Sequence, residues 1–354
     1  HTAEALKRRA AGGAEIVPLF ARLSIADQQK VFSPSDGRRI VLATNVAETS
    51  LTVPGIRYVI DTGLARVKRY SYRNKVEQLQ VEPISQAAAR QRAGRCGRVA
   101  AGVCIRLYSE QDFNARPAFT DPEIVRSNLA AVILRMAALR LGKVDEFPFL
   151  EAPSSRLVAD GYQLLHELGA VSERGEITEL GQSLSRIPVD PKVGRMLLAG
   201  EQFGCLREML ILASALSIQD PRERPFDARE AATRAHARFS DEKSDFLSFL
   251  ALWDFFDEAL QNKSSNRQLI QLCHTHFLSH LRMREWRELH AQLSQIADEL
   301  KLRRNELPAT YEPLHKALLT GLLGNVGMKS LEGDDYLGAR GIHFHIFPAS
   351  GLKK

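Results

Sequence analysis

The residues of this chain best suited to chemistry are a glutamine and three arginines that surround two glycines, in the run from Gln91 to Arg98. A helix capped by Ser85 is predicted to extend through this run. Gln91, Arg95 and Arg98 then share one face of the helix, and Arg92 points elsewhere. Each glycine inside a helix costs about 1 kcal/mol relative to alanine, which indicates that another group approaches the backbone closely.

This combination of side chains suits a triphosphate. Guanidinium groups stabilise the charge that develops on a transferred phosphoryl group, and a glutamine can orient the attacking water. The run therefore predicts a phosphate site with Gln91, Arg95 and Arg98 as catalytic residues. A solvated basic helix is the alternative explanation for these eight residues alone.

A second motif begins where an apolar run ends in small polar residues. Ile40 to Ala43 is typical of a buried parallel strand that delivers a functional loop. Asn45 and Glu48 form a predicted capping box, which does not account for the other hydroxyl groups in the turn. A strand from Arg57 to Asp61 follows, as in a doubly wound α/β domain. The hydroxyl residues of the turn are Thr44, Thr49, Ser50 and Thr52.

A basic and aromatic segment between the two motifs predicts a β-hairpin. Residues 63–81 alternate basic or polar with apolar side chains around a turn near Asn74. Sites for single-stranded nucleic acid use cations for phosphates and rings for bases, although exposed hairpins are often basic merely to stay soluble. The candidates for nucleic-acid contact are the cations Arg66, Lys68, Arg69, Arg73 and Lys75, interleaved with the rings of Tyr70 and Tyr72.

Taken together, these motifs resemble motifs V and VI of the DEAH-box RNA helicases, in the form found in the bacterial HrpA-like branch. The resemblance is carried by Ala43–Ser50, Asp61–Gly63 and Gln91–Arg98, in that order and spacing, and it extends over essentially the whole chain. It implies ATP or another NTP with Mg²⁺ as cofactors. It also implies single-stranded RNA as partner, with DNA as a second candidate.

The resemblance assigns roles to individual residues. Arg95 and Arg98 are expected to contact the γ-phosphate, and Gln91 to orient water or phosphate. Phe32 is expected to stack on the nucleotide base without selecting it, although packing of a helix end would explain the same ring. The residues implied in nucleotide binding are Phe32, Ser50, Thr52, Gln91, Arg95 and Arg98. Those implied in nucleic-acid binding are Thr44, Asn45, Lys68, Arg69, Tyr70 and Arg73.

A helicase of this kind also needs a first RecA-like domain with a phosphate loop and an acidic Mg²⁺ box. Neither precedes residue 40, and Gly142-Lys143 has no glycine five positions earlier. The residues Asp257–Leu260 have the same types as an acidic box. They follow a helical aromatic pattern and not a buried strand, so we do not expect them to bind Mg²⁺. We therefore expect a fragment that is inactive alone and binds nucleotide and Mg²⁺ mainly through a domain outside it.

The pattern of elements predicts a multi-domain fold that is α/β in its first part and mainly α in its second. We expect a partial RecA-like parallel-sheet domain with the hairpin at 1–115, a winged helix at 116–187, a ratchet-like helical bundle at 188–308 and the start of an OB-fold at 309–354. Four aromatic residues at helical spacing predict the core of the bundle. They are Phe246, Phe249, Trp253 and Phe256.

Composition narrows the class of protein. A net charge of +6 over 354 residues favours a polyanionic partner, but only weakly. Neither an apolar run of about 20 residues nor a secretory signal is present in this sequence. The four cysteines have no paired spacing, which suits reduced cytoplasmic thiols, and we expect a monomer. We predict no metal site at Cys273 and its neighbouring histidines, because zinc needs convergent ligands that normally come from two segments.

The expected function is that of an ATP-dependent RNA helicase, which couples NTP hydrolysis to 3′-to-5′ translocation on single-stranded RNA and to unwinding. The direction follows from the resemblance alone. Two alternatives remain open: a non-enzymatic nucleic-acid-binding adaptor that keeps the helicase scaffold, and a protein-remodelling scaffold.

Overall fold

The computed structural model divides the chain into two compact units by its internal contacts. Unit 1 comprises His1–Ser71 and Lys75–Ser127, and unit 2 comprises Tyr72–Asn74 and Asn128–Lys354. Among the described residues, no helix combines the length and apolar character needed to cross a membrane. The structure describes residues 2–9, 13–20, 23, 25–35, 37–49, 51–72, 74–225, 228–262, 265–331 and 333–353.

Unit 1 alternates strands with short helices. β1 pairs with β2 and β3 pairs with β6, both in parallel, which confirms the α/β class predicted for this part. In chain order the elements are α1 (Thr2–Arg9), β1 (Glu15–Leu19), α2 (Ile25–Lys30), β2 (Arg39–Ala43), α3 (Val46–Thr49), β3 (Tyr58–Asp61), β4 (Leu64–Ser71), β5 (Val76–Pro83), α4 (Gln86–Ala93), β6 (Val103–Arg106) and α5 (Glu110–Ala115).

The core beside β1 supports the second motif, which follows β2. Val17, Leu19 and Val31 are buried and pack against Val41 of β2. The sequence predicts β2 as a fully buried strand, but its residues are only half-buried. Among the described residues β2 pairs on one side only, with β1. The strand therefore delivers α3 from the margin of a two-stranded sheet.

The predicted hairpin is confirmed. β4 and β5 pair antiparallel from Leu64 opposite Pro83 to Ser71 opposite Val76. The connection contains Lys75 in the left-handed region at φ 53°, a conformation that non-glycine residues adopt mainly in tight turns. Regular alternation along both strands gives the hairpin two distinct faces.

Unit 2 is mostly helical. Its helices are α6 (Ala130–Ala138), α7 (Ser155–Glu167), α8 (Glu179–Ser185), α9 (Pro191–Gln202), α10 (Leu206–Ser217), α11 (Arg229–His236), α12 (Asp245–Asn262), α13 (Asn266–Thr275), α14 (His280–Glu299) and α15 (Tyr311–Leu322). The strands β7 (Gly327–Lys329), β8 (Tyr336–Gly338) and β9 (His343–Phe344) follow and form an antiparallel sheet.

The segment between α7 and α8 forms the small turn that the sequence predicts as a wing. Val171 and Ile177 make an antiparallel bridge across it. Helix α8 approaches this turn so closely that a Cβ on Gly181 would lie 2.0 Å from the Ala170 carbonyl oxygen. By contacts, residues 116–127 group with unit 1. The domain boundaries at residues 115, 187 and 308 stay predictions.

The aromatic stripe of α12 lies in the core of unit 2, as predicted. Trp253 and Phe256 are buried, and Phe249 is partly buried against the same cluster as Trp286. Phe246 packs against the neighbouring cluster formed by α9, α10 and α15. The stripe is thus a packing surface for the facing helices.

We expect protonation of His290 to destabilise unit 2. Its ring lies 4.6 Å from that of Trp253, and burial, followed by the positive charges of Arg287 and Arg304, lowers its pKa to about 4. The unfolded state, with a pKa near 6.5, takes up the proton first as the pH falls. The contribution of neutral His290 to the free energy of unfolding is therefore complete above about pH 6.5 and is lost as the pH falls towards about 4.

Urea unfolding of the wild-type chain and of His290→Gln at several pH values tests this expectation. Between those pH values, the free energy of unfolding should depend less steeply on pH in the variant, by about 1 kcal/mol per pH unit. Identical slopes in the two proteins would show that His290 does not carry the effect.

Candidate functional site

Helix α4 begins where the sequence predicts but ends earlier. The Ser85 hydroxyl accepts a hydrogen bond from the Ala88 amide at 3.2 Å, which confirms the cap. The helix ends at Ala93, and Gly94 is its C-cap. The prediction of a single helix through Arg98 is therefore wrong. Two glycines weaken the continuation, and the chain turns so that Arg95 reaches carbonyl groups at the end of α3.

The three predicted catalytic residues consequently lie on different elements of local structure. Gln91 is exposed in the last turn of α4, Arg95 is half-buried in the turns that follow, and Arg98 is exposed in the next bend. Arg95 donates from Nη2 to the Glu48 carbonyl oxygen and from Nη1 to that of Leu51 at 3.5 Å. This bonding brings the second and first motifs together. In this arrangement both terminal nitrogens of Arg95 are bonded to backbone carbonyl groups of the protein.

An ion-pair cluster beside this contact was missed by sequence reasoning. Arg92 donates from Nε to Glu48 Oε2 at 3.0 Å and from Nη1 to Asp61 Oδ1 at 2.8 Å. The side chains of Arg92 and Glu48 are 15% and 14% exposed, and that of Asp61 is fully buried. The three elements α4, α3 and β3 are thus joined through one guanidinium. The partners lie 44 and 31 positions away in sequence, beyond any local pattern.

Asp61 is held by further donors. Its Oδ1 accepts from the Gly63 amide at 2.9 Å, and its Oδ2 accepts from the Tyr108 hydroxyl at 2.8 Å. Burial alone would raise the pKa of the Asp61 carboxyl, but the hydrogen bonds from Gly63, Arg92 and Tyr108 lower it below its usual range. Burial and the Asp61 charge raise the pKa of Tyr108 to about 12. Asp61 therefore stays ionised and Tyr108 stays protonated near neutral pH.

Two of the residues predicted to bind nucleotide, Phe32 and Thr52, are exposed. Phe32, just beyond the end of α2, is 40% exposed, so one side of its ring is available for stacking. Thr52 is exposed in the segment after α3. Ser50 lies outside the described residues. Thr44 and Asn45, predicted to contact nucleic acid, are exposed directly after β2.

The hairpin residues predicted to contact nucleic acid differ in how far their side chains are already paired. Lys68 is half-exposed and forms an ion pair with Glu77. Arg69 is bound to Glu82 at 2.5 Å and to Asp121 at 2.9 Å, and the Glu82 hydrogen bond raises its pKa. Arg73 lies outside the described residues.

Tyr70 does not present its ring as the sequence suggests. It is only 9% exposed, and its backbone is bound to the segment that precedes unit 2: the Tyr70 amide donates to the Arg126 carbonyl oxygen at 2.8 Å. A base could stack on Tyr70 only after this packing opened.

One face of the hairpin places two of the predicted cations beside apolar residues that the prediction did not include. Arg66 lies opposite Val81 and Lys68 lies opposite Leu79 in the strand register. Arg66 is exposed, and Leu79 and Val81 are 62% and 61% exposed. Cationic and apolar side chains thus alternate across one surface, which we call the basic hairpin face. Strict alternation along β4 could have identified it, since residues 66 and 68 must point the same way.

Family models match three segments of the chain. The helicase conserved C-terminal domain matches residues 1–100. The winged-helix part of the helicase associated domain matches residues 162–189, and its ratchet-like part matches residues 190–249. The crystal structure of the Escherichia coli DExH-box NTPase HrpB has a similar fold, with a TM-score of 0.69 and 23% identity over 98% of this chain and 36% of that chain.

Curated relatives match all or nearly all of this chain. The chain is 55% identical over 358 residues to the ATP-dependent RNA helicase HrpA of Escherichia coli strain K12, which covers 100% of this chain and 28% of the relative. The Haemophilus influenzae homolog of HrpA is 54% identical over 360 residues with the same coverage. Human DHX35, a probable ATP-dependent RNA helicase, is 35% identical over 95% of this chain and 47% of its own length. The chain spans little more than a quarter of the two bacterial relatives, and it belongs to the HrpA-like branch of the DEAH-box helicases.

Proposed function

We propose that this chain supplies the second RecA-like domain and most of the C-terminal module of an ATP-dependent RNA helicase. The observation that carries the proposal is the contact between the two motifs: Arg95 is bonded to the end of α3, while Gln91 and Arg98 stay exposed beside it. The relatives that match the whole chain bear names of ATP-dependent RNA helicases.

In the proposed mechanism the chain provides one half of a nucleotide cleft. Arg95 and Arg98 stabilise charge on the transferred phosphoryl group, Gln91 orients the attacking water, and stacking on Phe32 holds the base. To reach the phosphate, Arg95 releases the carbonyl groups of Glu48 and Leu51. Movement at the nucleotide is thereby linked to α3 and to the preceding Thr44 and Asn45, which face the nucleic acid.

The exposed ring of Phe32 and the exposed side chains of Gln91 and Arg98 suit an NTP. The described residues suit Mg²⁺ poorly, since they include no cluster of three acidic, histidine or cysteine side chains. We therefore assign the Mg²⁺ ligands and the phosphate loop to a first RecA-like domain outside this chain. We further propose 3′-to-5′ movement on single-stranded RNA, as in the family, by a cytoplasmic monomer.

The basic hairpin face gives a test on the chain itself. About three to five phosphate contacts should make log affinity for single-stranded RNA fall with log salt at a slope of about −2 to −4. Removing two of them in Arg66→Gln with Lys68→Gln should reduce the magnitude of the slope by about 1.4. Fluorescence anisotropy with a labelled oligonucleotide measures both slopes.

A charge-matched control is available in the same unit. Arg8→Gln with Arg9→Gln removes two exposed cations from α1 and should leave the slope unchanged. A flat salt response of the wild-type chain, or equal losses in the two double variants, would contradict nucleic-acid binding by the hairpin.

A further inference from the structure

We propose that Arg92 is a positioning residue that couples the loop facing the nucleic acid to the arginines facing the nucleotide. This inference rests on the proposed function, because it assigns to Arg92 the transfer of a signal between those two sites. Arg92 itself is not expected to touch either ligand, since its side chain is mostly covered by protein.

The geometry of the Arg92 guanidinium suits a junction between elements. Its Nε is bonded to Glu48 of α3, and its Nη1 is bonded both to Asp61 of β3 and to the Leu64 carbonyl oxygen at 3.1 Å. The planar fork of arginine can hold two carboxylates and a carbonyl at fixed angles, which a lysine ammonium cannot do. Arg92 therefore fixes the relative position of three segments.

Asp61 serves as the fixed end of this junction. Its two carboxylate oxygens accept hydrogen bonds from Gly63 and Tyr108 in addition to Arg92. Asp61 is 2% exposed as a whole residue. A buried carboxylate with this many donors has little freedom to move, because each displaced donor would leave charge unsatisfied.

Glu48 is the end of this junction that can move, because it is bonded to both arginines. Its carboxylate accepts from Arg92, and its backbone carbonyl accepts from Arg95. Helix α3 has only four residues, too few to be stable without outside contacts. When Arg95 leaves its carbonyls for a phosphate, the bonds of Arg92 to Glu48 and Asp61 still tie α3 to α4 and β3.

Loss of Arg92 should therefore uncouple the two sites. In the complete helicase, we expect Arg92→Gln to reduce the stimulation of ATP hydrolysis by RNA about tenfold, a common size for coupling between sites. Basal kcat and the KM for ATP should change far less, because Arg95 and Arg98 remain. Arg92→Lys should recover part of the stimulation, since an ammonium can still pair with one carboxylate.

Steady-state ATPase kinetics with and without single-stranded RNA measure these quantities. Arg90→Gln is the matched control, since Arg90 is exposed on the same helix and is bonded to Gln86 of that helix; it should be as stimulated as the wild type. Glu48→Gln removes only the negative charge of the α3 partner and leaves Asp61 paired. If the thermal transition shows that Arg92→Gln is unfolded, Glu48→Gln tests the coupling role in its place.

The outcomes separate the inference from the proposed function. A wild-type helicase without RNA stimulation would overturn both. A stimulated wild type with equally stimulated Arg92→Gln and Glu48→Gln variants would overturn the coupling role alone. Basal and stimulated kcat that fall by the same factor would also overturn it, because that pattern describes a general loss of the active structure.

Discussion

Arg98→Ala or Arg95→Ala should lower the kcat of ATP hydrolysis by about 10³-fold or more in the complete helicase, with RNA affinity largely kept. The reason is electrostatic: a guanidinium aimed at the transferred phosphoryl group stabilises charge that is present only in the transition state. Arg98 gives the cleaner variant because it is exposed, whereas Arg95 also bonds the end of α3. Single-turnover hydrolysis and anisotropy measure the two quantities.

Arg90→Ala, on the same stretch of chain, controls for the loss of one positive charge and should retain near-normal turnover. Near-normal turnover in Arg98→Ala would instead refute the catalytic assignment. A parallel loss of RNA affinity would indicate that the arginine binds nucleic acid.

The second large effect concerns stability. Trp286→Ala should lower the free energy of unfolding of unit 2 by about 3–5 kcal/mol, the usual cost of truncating a large buried aromatic side chain. Trp286 is fully buried. Its Nε1 donates to the Ile211 carbonyl oxygen and the Ser214 hydroxyl, both at 3.0 Å, and its ring lies 5.2 Å from that of Trp253.

Urea unfolding monitored by tryptophan fluorescence measures this effect, because both tryptophans of the chain, Trp253 and Trp286, lie in unit 2. Trp253 remains as the probe in the variant. Leu150→Ala is a suitable control, since Leu150 is fully exposed and its truncation should change stability by less than about 0.5 kcal/mol. An equal, small change in both variants would contradict the core assignment.

Local signals in the sequence predicted the elements well. The Ser85 cap and the turn of the hairpin depend on neighbouring residues, so residue types and spacing were sufficient to place them. The end of α4 depends on a tertiary contact, since Arg95 bonds a helix that lies more than forty positions earlier. For the same reason the pairing of Arg92 with Glu48 and Asp61 could not be predicted.

Breaks between helices leave unequal signals in the sequence. Gly204 at φ 63° separates α9 from α10. That glycine was a usable signal, because it adopts the left-handed region without strain. Phe277 at φ 53° separates α13 from α14. A phenylalanine gives no such signal, and its backbone is held by a tertiary contact: the Phe277 carbonyl oxygen accepts from the Glu223 amide at 2.8 Å.

Burial along the basic hairpin face could not be predicted from the strand pattern. Alternation along β4 fixes which side chains share a face, but not which part of that face is buried. Arg66 and Tyr70 point the same way, yet Arg66 is exposed and Tyr70 is buried, and no periodicity in β4 contains that information.

ATP hydrolysis by the complete helicase, measured with and without single-stranded RNA beside the isolated chain, tests the central claim most directly. We expect hydrolysis that RNA stimulates in the complete protein and none from the chain alone, because the proposed function assigns the phosphate loop to the other RecA-like domain. Robust hydrolysis by the pure chain, or a complete protein with no RNA-stimulated turnover, would contradict the account.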